Sequence, residues 1–209
     1  MQATVLVDDF VRARERFYIW RRDAVALHKI ALALGAACLT GLLAQVRVPL
    51  PWTPVPITGQ TLGAVLAGVV LGTGWGGLSQ LLYVSLGAAG VPWFSGARGG
   101  MAIVAGPTGG YLFGFILAAL FLGYVTDRYP GAVRFRSLLG LMCVASFVLI
   151  YVPGLLQLSV WMRMTGGAWP DLPRLLTAGA APFLAGDAVK IVVAAGLAYA
   201  VTPRIRTGF

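Results

Sequence analysis

Six long apolar stretches, separated by short polar or glycine- and proline-rich connections, dominate this chain. They cover residues 25–46, 57–71, 75–89, 109–126, 137–161 and 182–201. Each has about the length that a helix needs to cross, or nearly cross, ~30 Å of hydrocarbon. The second and third are short and are joined by glycines at residues 72–77, which predicts a tight helical hairpin. The pattern therefore predicts an all-α integral membrane protein, built as a six-transmembrane-helix bundle.

The composition also indicates a membrane protein. Of the 209 residues, 58% are hydrophobic and 11% are charged, and the mean hydropathy is +0.83. This balance lies far outside that of ordinary soluble domains. We predict a basic N-terminal segment at residues 1–23, a membrane domain at residues 24–203 and a short tail at residues 204–209. Residues 10–20 are predicted either to lie as an amphipathic helix on the membrane surface or to act only as a topology signal.

Basic residues fall mainly on one side of the predicted bundle. With the N-terminus inside the cell, eleven lie on the cytoplasmic side and four on the external side. The eleven are Arg12, Arg14, Arg16, Arg21, Arg22, Lys29, Arg128, Arg134, Arg136, Arg204 and Arg206, and the four are Arg47, Arg98, Arg163 and Arg174. Because cytoplasmic loops carry an excess of Lys and Arg, both termini are predicted to be cytoplasmic. Topology explains the net charge of +9, so no nucleic-acid partner is expected.

Sequence motifs for nucleotides, metals and nucleophilic catalysis are absent or out of context. Residues 72–77 match GxGxxG literally, but their neighbours are predicted spanning helices and no acid follows about twenty residues later. His28 is the only histidine, and Cys38 and Cys143 form no CxxC pair. No GxxxxGK[ST] phosphate loop occurs, so an ATP-driven function would need a partner ATPase. We expect no cofactor, no metal site and no enzymatic activity.

Asp187 and Lys190 are two charged residues within the last apolar stretch. A charge at membrane depth costs roughly 2.5 to 3.5 kcal/mol, which makes such a pair a candidate for function. At a spacing of three residues the two side chains share one helix face. They are predicted to neutralise each other or to flank a polar ligand.

The longer connections, which are predicted to be external, carry further candidates. Arg98 lies between glycines, where the backbone can approach a ligand and the guanidinium can grip a carboxylate; a flexible loop is the alternative. The proline-rich residues 49–58 predict an extended segment that forms a lid, a pocket wall or a plain linker. Gln60 offers an uncharged hydrogen bond to a ligand or to neighbouring helices. Ligand chemistry is therefore expected on the external side.

Four motifs follow one another along the chain: PVPITGQTL at 54–62, GARGG at 96–100, GPTGGY at 106–111 and PFLAGDAVK at 182–190. Together they resemble the BioY family, the biotin-specific substrate-binding (S) components of energy-coupling-factor (ECF) transporters. The resemblance covers nearly the whole chain after about residue 24. It implies a six-helix S component in a prokaryotic cytoplasmic (inner) membrane that binds biotin from outside. It also implies a transmembrane coupling protein and two ABC-type ATPases as partners.

Biotin, the ligand that this resemblance implies, suits the candidate residues. Arg98 can pair with the carboxylate, Asp187 can accept from a ureido N–H, and Lys190 can donate to the ureido carbonyl. An exchanged arrangement, in which Lys190 takes the carboxylate, stays open. Further ligand-binding candidates are Gln60, Tyr111, Trp52, Tyr83, Trp93 and Gly99, although about half of such aromatics are expected in interface belts.

The resemblance also implies a role for small residues on the first helix. Family members use an AxxxA pattern there to pack against the coupling protein, and Ala33, Ala37 and Gly41 fit this spacing. Packing inside the bundle is the alternative for these residues. For the whole chain, the alternatives to an ECF component are a solitary biotin carrier without ATPases, an integral-membrane enzyme and an assembly subunit.

Overall fold

The computed structural model describes residues 23–202 together with Arg12, Ala13, Arg16, Ile19 and Trp20. The rest of the predicted N-terminal segment and the predicted tail at residues 204–209 lie outside the described residues. The helices are α1 (Ala26–Leu43), α2 (Gln60–Leu71), α3 (Thr73–Ala88), α4 (Met101–Val104), α5 (Gly109–Arg128), α6 (Phe135–Val144), α7 (Tyr151–Gly166), α8 (Leu172–Gly179) and α9 (Leu184–Val201). A 3-10 turn at Pro130–Val133 precedes α6, and a π-helical turn at Ala145–Ile150 joins α6 to α7.

Within the part of the chain that the structure describes, four helical stretches are long and apolar enough to cross a membrane. They are Ala26–Leu43, Gly109–Arg128, Phe135–Gly166 and Leu184–Val201. Each overlaps one of the predicted apolar stretches, so the prediction of a helical membrane protein is confirmed. The two short stretches form α2, with 12 residues, and α3, with 16 residues. Both are shorter than the roughly 20 residues of a typical span.

The junction of α2 and α3 is the tight turn that the glycines predict. Only Gly72 separates the two helices, and its φ of +81° is a conformation that glycine adopts readily. Asp127 Oδ2 accepts hydrogen bonds from the amide of Thr73 at 2.8 Å and from its hydroxyl at 3.0 Å. The GxGxxG match is therefore a helix-to-helix turn whose second helix is anchored to the end of α5.

Helix α5 packs along the segment that joins α6 to α7, and glycines allow their backbones to touch. A Cβ atom on Gly110 would lie 2.1 Å from the carbonyl oxygen of Pro153, and one on Gly114 would lie 2.6 Å from Ile150 Cα. Close approach of this kind is typical of small residues at membrane helix interfaces. The contact holds the π-helical turn firmly against α5.

Proline explains why this segment departs from regular α-helix. Pro153 has no amide hydrogen to donate to the carbonyl of Leu149, so the regular bonding pattern cannot continue through this point. The π-helical turn ends immediately before Tyr151. Such single turns often occur at functional sites because they change the direction of a side chain.

The proline-rich segment between α1 and α2 is held at both ends. Strands β1 (Arg47–Val48) and β2 (Ile57–Thr58) pair antiparallel, with Arg47 opposite Thr58. Between them, Thr53 Oγ1 donates to the carbonyl of Ala178, at the end of α8, at 2.6 Å. The segment is therefore an extended strap fixed to the bundle.

Ala33, Ala37 and Gly41 face the inside of the bundle. Ala33 and Ala37 have 0% exposed surface, and a Cβ atom on Gly41 would lie 3.0 Å from Trp93 Cβ. This corrects the expectation that the three residues contact a coupling protein, because none offers a partner free surface in this structure. Packing inside the bundle, the alternative for these residues, is where the structure places them.

Candidate ligand-binding site

A pocket opens where the end of the strap, the turn at residues 94–98, the start of α5, Tyr151 and the first two turns of α9 meet. Five of the nine predicted ligand-binding residues line it: Gln60, Arg98, Tyr111, Asp187 and Lys190. Its apolar walls include Phe94, Leu112, Phe115, Ile150 and Phe183. Apolar walls with a few convergent polar groups are the usual form of a small-molecule site.

Asp187 and Lys190 form an ion pair on α9, as their spacing predicts. Lys190 Nζ lies 2.5 Å from Asp187 Oδ1 and also donates to the carbonyl of Thr58 at 2.7 Å. Asp187 is 3% exposed. Because a buried charge is tolerated only when it is paired and hydrogen-bonded, these contacts explain how the pair persists inside the bundle.

Tyr151 is a third member of this polar group, and the sequence analysis missed it. Its hydroxyl donates to Asp187 Oδ2 at 2.6 Å, so both carboxylate oxygens of Asp187 accept a hydrogen bond. The available signal was Pro153, which predicts a helix distortion beside Tyr151. Tyr111 lies next to it, with ring centroids 6.3 Å apart, and donates to the carbonyl of Gly179 at 2.7 Å.

Gln60 connects the pocket to two aromatic residues behind it. Its Oε1 accepts from Thr58 Oγ1 at 2.8 Å, and its Nε2 donates to the hydroxyl of Tyr83 at 2.6 Å. Tyr83 is fully buried and accepts, at its carbonyl, a 2.9 Å hydrogen bond from Trp93 Nε1. Tyr83 and Trp93 therefore support Gln60 and the neighbouring turn from behind, and neither lines the pocket.

The turn that carries Arg98 is held by Gln45, another residue that sequence analysis missed. Gln45 Nε2 donates to the carbonyls of Trp93 and Phe94 at 3.2 Å, and its Oε1 accepts from the amide of Ala97 at 2.9 Å. Phe94 and Arg98 pair across the turn through a 2.8 Å backbone bond. These contacts hold the segment in a defined turn. A flexible loop was the alternative in the sequence analysis.

Arg98 lies at the exposed rim of the pocket. Its Nε donates to the carbonyl of Ser95 at 3.0 Å, and the two terminal nitrogens of the guanidinium remain available to other acceptors. Gly99 does not line the pocket; a Cβ atom there would lie 2.5 Å from the carbonyl oxygen of Val91. Glycine at this position allows the two backbone segments to pack together.

Trp52 lies away from this pocket. It is 65% exposed and lines a separate groove with Trp161 and Arg174. The strap's residues closest to β2, Val55 and Pro56, reach the pocket instead. The strap thus contributes one wall of the pocket through its second half only.

The arrangement suits binding of a small organic molecule. It combines a buried ion pair, a guanidinium at the rim and apolar walls. Among the described residues, no group of three or more His, Cys, Asp or Glu side chains is placed to hold a metal ion. A ligand with an anionic end, a polar uncharged end and an apolar body would match all three features.

Comparison with known proteins gives a consistent result. The BioY family model matches residues 16–207. A probable biotin transporter BioY from Methanothermobacter thermautotrophicus is 53% identical over 139 residues, which cover 66% of this chain and 88% of that protein. The biotin transporter BioY from Rhizobium etli is 36% identical over 177 residues, which cover 82% of this chain and 91% of that protein.

Among solved structures, the S-component for biotin from an ECF-type ABC transporter has a similar fold. Its TM-score is 0.73 at 22% sequence identity, and the match covers 88% of this chain and 93% of that chain. The sequence motifs, the sequence relatives and the fold all agree with the resemblance seen in the sequence. This chain belongs to the BioY family.

Proposed function

We propose that this chain is the biotin-binding subunit of an ECF-type vitamin transporter and captures biotin from the external side of a prokaryotic cytoplasmic membrane. The observation that carries the proposal is the partly buried Asp187–Lys190 pair in a pocket that also has a guanidinium at its rim. Relatives in the same family are named biotin transporters. The role is transport, with biotin as the carried ligand and no catalytic step.

The polar groups of the pocket have free capacity that matches the ureido ring of biotin. Lys190 has three N–H donors, of which two are used on Asp187 and Thr58, so one is available to the ureido carbonyl. Asp187 accepts one hydrogen bond on each oxygen and keeps further lone pairs for a ureido N–H. The unused donor of Lys190 and the unused acceptors of Asp187 therefore favour a position of the ureido ring beside the ion pair.

Arg98 is the partner that we propose for the biotin carboxylate. Since its Nε is bonded to Ser95, the two terminal nitrogens are free for a bidentate pair with a carboxylate. The thioether ring and the aliphatic chain would lie against Phe94, Leu112 and Phe115, because burial of apolar surface is favourable. The exchanged assignment, with Lys190 on the carboxylate, would leave the ureido group beside an exposed guanidinium.

The membrane arrangement that we propose has six spanning segments and both termini in the cytoplasm. The hairpin of α2 and α3 would add two short spans to the four long ones. The first residue of α3, Thr73, is hydrogen-bonded to Asp127, next to the basic connection that carries Arg128, Arg134 and Arg136. Positive charge at this end supports a cytoplasmic position for it.

Biotin binding by the purified chain tests the central part of this proposal. Equilibrium binding in nanodiscs should be tight for biotin, absent for thiamine and lost in the Lys190→Ala variant. If well-folded protein does not bind biotin, the proposal is rejected, and an enzymatic or assembly role gains weight.

Uptake measurements distinguish an ECF component from a solitary carrier. We propose a transmembrane coupling protein and two ABC-type ATPases as partners, since the chain has no phosphate-loop motif of its own. Labelled biotin should enter biotin-uptake-deficient cells only when this chain is produced together with such a module. Equal uptake by the chain alone would support the solitary carrier instead.

A further inference from the structure

Ser95 presents a buried hydroxyl that lacks a protein partner. It is 8% exposed, it lines the pocket, and its Oγ has no hydrogen-bond partner among the residues that the structure describes. A buried polar atom without a partner costs folding free energy, so most such atoms in proteins are satisfied. A hydroxyl that lines a binding pocket can recover this cost when a ligand arrives.

The position of Ser95 in the turn indicates which ligand group it would meet. Ser95 and Arg98 belong to the same turn, and Arg98 Nε donates to the carbonyl of Ser95 at 3.0 Å. Both residues line the pocket. The turn therefore offers one neutral O–H donor and the N–H donors of a guanidinium. Such a combination suits an anionic oxygen ligand.

The turn is held in an unusual conformation, which supports a preformed role. Ala97 has a φ of +52°, the only positive value among the described residues other than glycine, and Gly96 has a φ of +79°. A Cβ atom on Gly96 would lie 2.4 Å from Arg47 Nη1, so the guanidinium of Arg47 would have to move to admit a side chain. A residue persists in such a conformation only when its surroundings fix it, and here Gln45 does so by donating to the carbonyl of Phe94 and accepting from the amide of Ala97.

We propose that Ser95 Oγ donates a hydrogen bond to the ligand carboxylate that pairs with Arg98, so that the turn at residues 94–98 binds the anionic end of the ligand with two side chains. This inference rests on the proposed biotin-binding function and adds a ligand contact to it. A hydrogen bond from a hydroxyl to a carboxylate is shorter and stronger than one to a neutral acceptor. Ser95 should therefore discriminate between ligands with charged and uncharged tails.

Ser146 provides a matched control. It is also a serine with a buried hydroxyl that has no hydrogen-bond partner among the described residues, but it belongs to the π-helical turn and does not line the pocket. Ser95→Ala and Ser146→Ala each remove an unsatisfied hydroxyl, so both variants should unfold at the same temperature as the unsubstituted chain or slightly higher. Only Ser95→Ala should change ligand binding.

The test measures the affinity of the three proteins in nanodiscs for biotin and for biotin methyl ester. Ser95→Ala should weaken biotin binding about tenfold, as expected for a lost hydrogen bond to a charged group, and should change ester binding by much less. Ser146→Ala should bind both ligands like the unsubstituted chain.

Two results would overturn the Ser95 inference while leaving the proposed function intact. One is biotin binding by Ser95→Ala that equals that of the unsubstituted chain. The other is an equal loss of affinity for biotin and its methyl ester in Ser95→Ala, which would show that the Ser95 hydroxyl does not contact the carboxylate. Absence of biotin binding by the folded, unsubstituted chain would instead overturn the proposed function, and this inference with it.

Discussion

The two regions that supply the charged groups of the pocket are built in opposite ways. Asp187 and Lys190 come from one turn of α9, and their charges neutralise each other before any ligand arrives. Arg98 comes from a turn whose shape depends on Gln45, more than fifty residues earlier in the chain. The first region is specified by local spacing and burial, and the second by long-range hydrogen bonds.

This difference predicts different responses to substitution. In the α9 region, loss of one charge leaves its partner charged and largely shielded from water, so folding and binding should weaken together. In the 94–98 turn, Arg98 is exposed at the rim, so binding should weaken while the fold stays intact. Substitutions that separate binding from stability therefore test the comparison directly.

Asp187→Asn should have the largest effect. It leaves the ammonium of Lys190 without its charged partner. Breaking a fully buried ion pair from one side costs about 3 to 5 kcal/mol, and the cost here should be lower because the side chain of Lys190 is 18% exposed. We expect biotin binding to be lost and thermal unfolding to occur at clearly lower temperature. Binding assays and thermal unfolding in the same detergent check both effects.

The double variant Asp187→Asn/Lys190→Gln is the control for this prediction. Because it removes both charges, it should recover most of the lost stability but none of the biotin binding. A double variant that bound biotin like the unsubstituted chain would show that the ion pair is not part of the binding site.

Arg98→Ala should have the next largest effect, and on binding alone. Loss of charge-assisted hydrogen bonds to the carboxylate should reduce biotin affinity about 10- to 100-fold. Affinity for biotin methyl ester should change little. Arg174→Ala, which removes an exposed arginine outside the pocket, should leave both affinities unchanged. A similar loss for biotin and its ester in Arg98→Ala would argue against a contact with the carboxylate.

Tyr151→Phe should weaken binding about tenfold and lower stability slightly. It removes the 2.6 Å hydrogen bond to Asp187 Oδ2 and so leaves that oxygen less well oriented for a ureido N–H. Tyr124→Phe is the control, since Tyr124 is 56% exposed and lies outside the pocket. If both variants lost the same affinity, the effect of Tyr151 would come from general packing.

Gln45→Ala should have the smallest effect of the series, a loss of about three- to tenfold in biotin affinity. Its side chain makes several hydrogen bonds to the 94–98 turn, and their loss would let the turn move without removing a ligand contact. The loss should appear mainly as faster dissociation of biotin in kinetic measurements. Unchanged dissociation would show that the turn keeps its shape without Gln45.

Sequence analysis predicted the parts of the fold that depend on burial in lipid. The apolar stretches at residues 109–126 and 182–201 correspond to α5 (Gly109–Arg128) and α9 (Leu184–Val201) within about two residues. The ion pair was predictable because one helix carries both residues at a spacing that brings them together. In each case the residues that determine the structure are close together in the sequence, within a single helix.

The parts that were missed depend on contacts between distant segments. The pairing of β1 with β2, the anchoring of Thr53 to α8 and the bonds from Gln45 connect residues that no periodic pattern relates. Hydrophobic periodicity detects burial but not the direction of a polar side chain. For the same reason, an aromatic residue such as Trp52 could not be placed inside or outside the pocket from its residue type.

A structure of the chain with biotin bound in nanodiscs tests the central claim most directly. We expect the ureido ring within hydrogen-bond distance of Asp187 and Lys190, and the carboxylate at the guanidinium of Arg98 and the hydroxyl of Ser95. A carboxylate bound by Lys190, or biotin bound outside this pocket, would contradict the account.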